Sequence, residues 1–200
     1  MRVDFDNWMP IAVTEIYEIF TPIPIIWFIA GGWALDLHVG QKTRKHSDID
    51  VVIFRNQQQV LYEFLKQDWM LYKAQNGTLQ PWKNGEFLTS TNDVWVRKKT
   101  DSPWAFQIML VDSEKNEWIY RRKESIKREI NKIFLRTSEG IPYIKPEIQL
   151  LYKGGSSIVR EKDFKDFQNM LPFLSSKEKE WLKTSLNKQF PEGHGWLEYL

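Results

Sequence analysis

The sequence lacks cysteine and any long uninterrupted apolar segment. Without cysteine, disulfide bonds and thiolate metal sites are excluded, which fits a reducing compartment. The most apolar stretch, residues 23–40, is broken by Pro24, two glycines and Asp36, so it is too short to span a bilayer. The first ten residues place acidic side chains where a signal peptide requires a basic head and an apolar run. We therefore expect a cytoplasmic protein with no membrane partner.

An excess of charge of one sign is also missing. The chain carries 28 basic and 26 acidic side chains, for a formal net charge of +2. This balance argues against a disordered chain and against a protein that seeks polyanions. Residues 121–128 include a basic run, but no aromatic side chains alternate with it in a stacking pattern, so we interpret the run as a solvated face. Nucleic acid is not an expected partner, and the sequence does not indicate an oligomeric state.

The chain contains enough apolar residues for a hydrophobic core, and its apolar segments have the periodicities of alternating strands and helices. Apolar residues make up 42% of the 200 residues, with ten tryptophans, enough for one ordinary domain with a small appendage. Buried strands are predicted at 25–30 and 48–54, further strands at 69–74, 86–90, 93–99, 104–111 and 117–122, and helices at 10–20 and 56–67. Asn56 is the predicted N-cap of the second helix, and Val60, Leu61, Phe64 and Leu65 its apolar stripe.

Helices dominate the remainder of the chain. Pro146 suits the first turn of one helix, Phe164, Phe167 and Leu171 share a face of the next, and Ser175 with Glu178 has the spacing of a capping box before the last. The predicted organisation is a sheet domain over residues 1–135 and a C-terminal helical region over residues 136–200. The predicted fold class is therefore α/β (α+β), a mixed sheet flanked by helices.

Two aspartates begin the predicted strand at 48–54. Side chains at positions i and i+2 of a strand point to the same face, so Asp48 and Asp50 can converge on one place. Two hard carboxylates suit Mg²⁺, which takes a few protein oxygens and completes its shell with water and phosphate oxygens. Two-metal phosphoryl-transfer sites use such pairs. The pattern therefore predicts a divalent metal site, for Mg²⁺ or Mn²⁺, held by Asp48 and Asp50.

A pair of glycines lies between the predicted strand at 25–30 and a short predicted helix at 33–39, for which Gly40 is the predicted C-cap. Free backbone amides and the helix dipole at such a junction favour an anion, and glycine permits close approach of the backbone. Gly31 and Gly32 are therefore the predicted phosphate cradle. Their order relative to the two aspartates is typical of nucleoside-triphosphate chemistry, so ATP or another nucleoside triphosphate is the expected co-substrate.

The segment "GGWALDLHVGQKTRKHSDID", residues 31–50, resembles the nucleotidyltransferase superfamily typified by DNA polymerase β. It is most similar to the aminoglycoside and lincosamide nucleotidyltransferases, where a "GGWAxDxxxGxxTRxHxDID" pattern recurs. The later runs "EWIYRR", "GIPYIKPEIQLLYK" and "REKDFKDF" also resemble that branch, the aminoglycoside-2''-adenylyltransferase and lincosamide type. The similarity extends over nearly the whole chain.

The resemblance implies a polymerase-β-like mixed sheet and transfer of a nucleoside monophosphate, AMP by preference, to a hydroxyl of a small acceptor, with release of pyrophosphate. It also implies a third catalytic carboxylate on a later strand, at a place that Gln107 occupies here. Asp112 would face the opposite side of that strand, and Asp93 is a more distant substitute. A glutamine accepts a hydrogen bond but takes no proton. With Gln107 at this place, three alternatives are open: another acid replaces the missing carboxylate, turnover is slow, or the site binds nucleotide without catalysis.

Four further residues are candidate nucleotide contacts. Trp33 follows the glycines closely enough to touch a ligand, and Arg44 suits bidentate binding of phosphate. His46 is a candidate for a phosphate contact or for a structural hydrogen bond to its loop, and Asp36 for a bond to the same loop. Lys153 either reaches the triphosphate or serves as a cation at a helix C-terminus. A further alternative is an RNA-modifying or toxin–antitoxin nucleotidyltransferase of the same fold.

Overall fold

The computed structural model describes residues 4–156 and 158–200. Its α-helices are α1 (Val13–Phe20), α2 (Gly31–Val39), α3 (Gln58–Leu65), α4 (Pro146–Gly154), α5 (Glu161–Met170) and α6 (Ser176–Gln189). Its strands are β1 (Trp27–Ala30), β2 (Asp50–Phe54), β3 (Met70–Gln75), β4 (Thr78–Pro81), β5 (Asp93–Arg97), β6 (Phe106–Glu114), β7 (Glu117–Ile119), β8 (Lys127–Glu129), β9 (Phe134–Arg136) and β10 (Pro142–Ile144).

The ten strands of the described residues form one mixed sheet. Its main path runs β4-β3-β5-β6-β2-β1-β10-β9, and β7 and β8 extend it from β6. β2 lies between an antiparallel β1 and a parallel β6, so its apolar residues are covered on both faces and nearly all buried. This central position holds the first residue of β2, Asp50, at a fixed place beside the end of β1.

Most of the predicted elements are confirmed. The buried strands at 25–30 and 48–54 correspond to β1 and β2, although β2 begins at Asp50 and leaves Asp48 outside the strand. The runs at 69–74, 93–99, 104–111 and 117–122 overlap β3, β5, β6 and β7. Gly40 ends α2 in the left-handed conformation that favours glycine (φ 79°). Ser175 caps α6, where its Oγ accepts a hydrogen bond from the Glu178 amide and the Glu178 carboxylate accepts one from the Ser175 amide.

Three sequence predictions are wrong in this region. Residues 86–90 form no strand, because backbone groups in this segment bond to side chains rather than to another strand. The side-chain oxygen of Gln58, for example, accepts a hydrogen bond from the Leu88 amide. A 3-10 turn, Arg55–Gln57, precedes α3, so its N-cap is Gln57 rather than Asn56. The apolar stripe of α3 is only half correct, because Leu61 and Leu65 are buried whereas Val60 and Phe64 are exposed.

The C-terminal helices pack against the edge of the sheet where the site lies. α4 contacts α2, α5 and α6, and its residues Ile148, Leu150 and Leu151 are fully buried in the main core. β10 pairs in parallel with β1, so the sheet continues to Ile144, beyond residue 135. The division into residues 1–135 and 136–200 stays a prediction. Within the described residues no helix combines the length and apolarity needed to cross a membrane.

Candidate active site

A cleft of about 430 Å³ opens between the sheet and the C-terminal helices. Gly31, at the end of β1, and Asp50, at the start of β2, form part of its wall, because Ala30 and Asp50 are paired in the antiparallel register. Asp93 from β5 and Lys153 from α4 belong to the polar lining of the same cleft. The cleft therefore joins the glycine hinge, two carboxylates and a cation from four separate elements.

The carboxylates in this cleft repel one another. Burial, followed by the negative charges of Asp48 and Asp93, raises the pKa of Asp50 to about 7, and the charges of Lys153 and Lys162 oppose that shift only in part. Burial also raises the pKa of Asp93, against the hydrogen bond from Gln107. A cation bound between these groups would remove the repulsion. Asp48 lies before the start of β2, is half-buried and does not line the cleft, although its charge acts on Asp50. That Asp48 and Asp50 together hold a metal stays a prediction.

Gln107 lies at the register position directly opposite Asp50 on the neighbouring parallel strand. Its Nε2 donates a hydrogen bond of 2.8 Å to Oδ1 of Asp93, on the strand beyond. Asp50, Gln107 and Asp93 share one face of the sheet, since Trp95 is opposite Gln107 and Asp93 lies two residues from Trp95. Gln107 therefore lies between Asp50, which begins β2, and the carboxylate of Asp93 on β5.

The two glycines are used for close packing. Gly31 has φ +68°, and an added Cβ would collide with the carboxylate of Asp50. An added Cβ on Gly32 would collide with the ring of His46 and lie 2.7 Å from the Arg44 guanidinium. The Gly31 amide donates to Oε1 of Gln149 at 2.8 Å. Any side chain at either position would displace the groups around the cleft.

Asp36 organises the loop that leads to the two aspartates. Its Oδ1 accepts from the Thr43 amide (3.1 Å) and hydroxyl (2.5 Å), and its Oδ2 accepts from Nε2 of His46 at 2.5 Å. The side chain of His46 is only 2% exposed, and its ring lies 4.8 Å from that of Trp33 between centroids. The structural roles expected for Asp36 and His46 are thus realised in the fold, and Trp33 packs on this loop rather than lining the cleft.

A network of ion pairs joins this loop to the C-terminal helices. Nε and Nη2 of Arg44 each donate to Asp166 at 2.8 Å, and Nζ of Lys153 lies 2.7 Å from Asp166 and 3.0 Å from Asp163. Although burial opposes it, the hydrogen bonds from Arg44 and Lys153 lower the pKa of Asp166. Arg160 pairs with Asp163 in turn. Arg44 and Lys153 stay candidate nucleotide contacts, and both already have carboxylate partners.

The basic run at 121–128 is partly engaged inside the protein. Arg128 donates to the buried Glu147 at 2.5 Å, and Arg122 donates to the Tyr152 carbonyl at 2.7 Å. Arg121 and Arg122 line the cleft, so a part of this run that the sequence assigns to a solvated face borders the site. Their side chains bring positive charge to its rim.

The donor set suits a hard divalent cation that keeps ligands other than protein. Within residues 4–156 and 158–200, no three acidic, histidine or cysteine side chains are grouped closely enough to hold a metal by themselves. Asp48 and Asp50 supply oxygens only, the ligands that Mg²⁺ and Mn²⁺ prefer, and phosphate or water oxygens would complete the shell. The residues present therefore fit a metal that arrives with a polyphosphate.

Sequence reasoning missed the role of Gln149 and treated Asp93, which also lines the cleft, only as a distant substitute for the third carboxylate. Gln149 is a buried polar side chain between the apolar residues Ile148 and Leu150 of α4, which signals a specific hydrogen-bond partner, here Gly31. Asp93 begins β5 in the run "DVWVR" just as Asp50 begins β2 in "DVVIF". This shared pattern was available in the sequence, but the neighbourhood of β5 and Gln107 depends on the order of strands in the sheet.

Residues 12–80 match the aminoglycoside-2''-adenylyltransferase family, and none of the curated proteins matches the chain by sequence. Among solved structures, the lincomycin-bound lincosamide antibiotic adenylyltransferase LnuA is similar with a TM-score of 0.55 and 19% identity, over 82% of this chain and 97% of that one. ANT(2'')-Ia in complex with adenylyl-2''-tobramycin gives a TM-score of 0.54 and 14% identity, over 86% and 95%. The solution structure of ANT(2'')-Ia gives 0.58 and 15%, over 90% and 93%.

These likenesses confirm the resemblance and the fold class predicted from the sequence. At identities below one fifth, the solved structures establish a shared fold. The family match over residues 12–80 covers the glycine hinge and both aspartates, and it supports the prediction of a nucleotidyltransferase enzyme. The chain thus has the fold of these nucleotidyltransferases, and its residues 12–80 are similar to the aminoglycoside-2''-adenylyltransferase family.

Proposed function

We propose that this protein transfers a nucleoside monophosphate, by preference AMP, from a nucleoside triphosphate to a hydroxyl of a small acceptor in a reaction that depends on Mg²⁺. The observation that carries the proposal is the convergence of mutually repelling carboxylates on one cleft beside the glycine hinge. Such an arrangement is costly unless a cation neutralises it.

The chain's own residues bind and orient the reactants. Asp48 and Asp50 would hold the metal, which when bound supplies positive charge that neutralises the phosphates and the leaving pyrophosphate. Gly31 lines the cleft, so a phosphate oxygen would approach the backbone there, beside the amide that Gln149 holds. Gly32 packs against His46 and Arg44 and stays a predicted contact. Arg121, Arg122 and Lys153 line the same cleft and add positive charge around the polyphosphate. Catalysis would come from positioning and charge neutralisation.

The charges of the cleft favour an acceptor that is neutral or carries a single charge. Asp112 is paired with Arg55 at 2.6 Å, and Asp163 is paired with Lys153 and Arg160. Among the described cleft residues this leaves Asp50 and Asp93 for the reaction, while arginines occupy the rim. A polycationic aminoglycoside would find few free carboxylates for its ammonium groups, so we infer a hydroxylated acceptor with at most one positive charge.

A second candidate is a nucleotide-binding protein of the same fold without turnover. The observation that favours it is Gln107, which stands where the resemblance implies a third carboxylate and cannot take a proton. This candidate predicts metal-dependent nucleotide binding without product at long incubation times.

The test is transfer of an α-³²P-labelled nucleoside triphosphate to a panel of neutral, singly charged and polycationic hydroxyl compounds with Mg²⁺ present. Asp48→Asn and Asp50→Asn should lose at least about 100-fold of the transfer rate, because each removes charge that holds the metal. Asp101→Asn, at an exposed turn, is the matched control and should leave the rate unchanged. Equal labelling by the wild type and by both site variants would contradict the proposal.

A further inference from the structure

One carboxylate of this cleft, Asp93, lies on a different strand from the one on which the resemblance places the third catalytic acid. Gln107, on β6, is opposite Asp50, and Asp93, on β5, is opposite Met109. Asp93 is therefore displaced from Asp50 by two strands and two residues, about 10 Å across the sheet and roughly 7 Å along it between backbones. Their side chains project from the same face, and Asp93 raises the pKa of Asp50, so the two carboxylates share one electrostatic environment.

Gln107 fixes the orientation of this displaced carboxylate. Its Nε2 donates to Oδ1 of Asp93 at 2.8 Å, and Asp93 lines the cleft. Within the described residues, Oδ2 of Asp93 has no hydrogen-bond donor of its own. One oxygen is therefore held by the protein while the other stays available to a bound molecule.

The other acid near this position is already engaged. Asp112 lies five residues beyond Gln107 on β6, so it projects from the opposite face of the strand. Its carboxylate oxygens accept hydrogen bonds from Nε and Nη2 of Arg55 at 2.6 and 3.3 Å. An ion-paired carboxylate is a weak base, whereas burial makes Asp93 a stronger base than an ordinary aspartate.

We propose that Asp93 is the proton acceptor of the transfer reaction and that Gln107 is its positioning residue. The proposal rests on the proposed function. The acceptor oxygen forms a bond to the α-phosphorus, and the bond from that phosphorus to the bridging oxygen of the leaving pyrophosphate breaks. The electron pair of the broken bond leaves with pyrophosphate. The proton of the acceptor hydroxyl passes to Asp93, directly or through one water molecule.

The experiment compares Asp93→Asn, Gln107→Glu and the Asp93→Asn/Gln107→Glu double variant with Asp101→Asn as control. Asp93→Asn keeps the size of the side chain and an oxygen that accepts from Gln107, so the fold is retained, which melting temperature checks. We measure kcat for labelled transfer and, separately, the Kd of a non-hydrolysable nucleoside triphosphate with Mg²⁺. Asp93→Asn should lower kcat at least about 100-fold, the low end for loss of a general base, and change Kd less than about twofold.

The double variant gives the more specific test, because Gln107→Glu places a carboxylate on β6, the strand where the resemblance places the third catalytic acid. It should recover at least about tenfold of the lost kcat. Unchanged kcat in Asp93→Asn would overturn the assignment, and so would an equal loss of nucleotide affinity or a double variant no faster than the single one. If the wild type binds nucleotide but makes no product, the proposed transfer function itself is wrong. If the wild type makes product and Asp93→Asn does so at the same rate, only the assignment of Asp93 is wrong.

Discussion

Nζ of Lys153 lies 2.7 Å from Oδ2 of Asp166, and the same carboxylate accepts two hydrogen bonds from Arg44. Asp166 thus connects the C-terminal helices α4 and α5 to the loop that carries the predicted metal ligands. The side chains of Lys153 and Asp166 are 8% and 3% exposed, so this contact is shielded from solvent. It ties the position of the loop to the packing of the helices.

Asp166→Asn should destabilise the protein by about 3 kcal/mol, because it leaves two cations without their shared charge partner in a buried setting. Urea unfolding measures the loss. Glu161→Gln, which removes an exposed ion pair with Lys165 on the same helix, is the control and should leave the unfolding midpoint unchanged. Equal midpoints for Asp166→Asn and the wild type would show that the network adds nothing to stability.

Gly31→Ala should impair nucleotide binding more than its backbone strain explains. Gly31 and Gly77 have nearly equal φ angles, +68° and +67°, but an added Cβ would strike the Asp50 carboxylate only at Gly31 and meets open space at Gly77. Both alanine variants should lose about 1–2 kcal/mol of stability from the left-handed backbone. Only Gly31→Ala should weaken Mg²⁺–nucleotide binding, by at least about tenfold, in a fluorescence titration.

Comparable affinity in the two glycine variants would mean that the close approach of Gly31 to Asp50 has no part in binding. Because Gly77 carries the same strain, this comparison is independent of how much the strain itself costs.

Asp50 should make the metal-free protein less stable as pH rises. Its folded pKa of about 7 lies above the ordinary value of 3.8, so between these values the folded state holds a proton that the unfolded state has lost. The stability is fully present below about pH 4 and is lost progressively as pH rises through 7. We expect the melting temperature of the wild type, relative to Asp50→Asn, to fall by roughly 5 °C between pH 5 and pH 8.

The Asp50→Asn reference is needed because burial lowers the pKa of His194, which acts in the opposite direction over the same range. Mg²⁺ with a non-hydrolysable triphosphate should raise the melting temperature more at pH 8 than at pH 5. A difference between the two proteins that stays constant with pH would contradict the shifted pKa.

Asp36→Asn should loosen the loop at residues 41–48 without unfolding the sheet. Asparagine keeps an oxygen for Thr43 but loses the carboxylate charge that faces the buried His46, so the hydrogen bond between residues 36 and 46 would weaken. Amide hydrogen exchange should become at least about tenfold faster across the loop and stay unchanged in β6. Exchange that is unaltered at the Thr43 amide would show that the loop is held by other contacts.

The sequence by itself determined the strand, hinge, helix and loop that place Gly31 before Asp50, because this order depends on local propensity and on the period of two along a strand. It also determined the capping of α6 and the glycine end of α2, which depend on neighbouring residues. Only the tertiary structure decided that Asp93 meets Gln107 and that Asp166 holds Arg44 and Lys153 together. Those contacts join residues far apart in the chain, and the order of strands and the docking of helices bring them together, which no local pattern specifies.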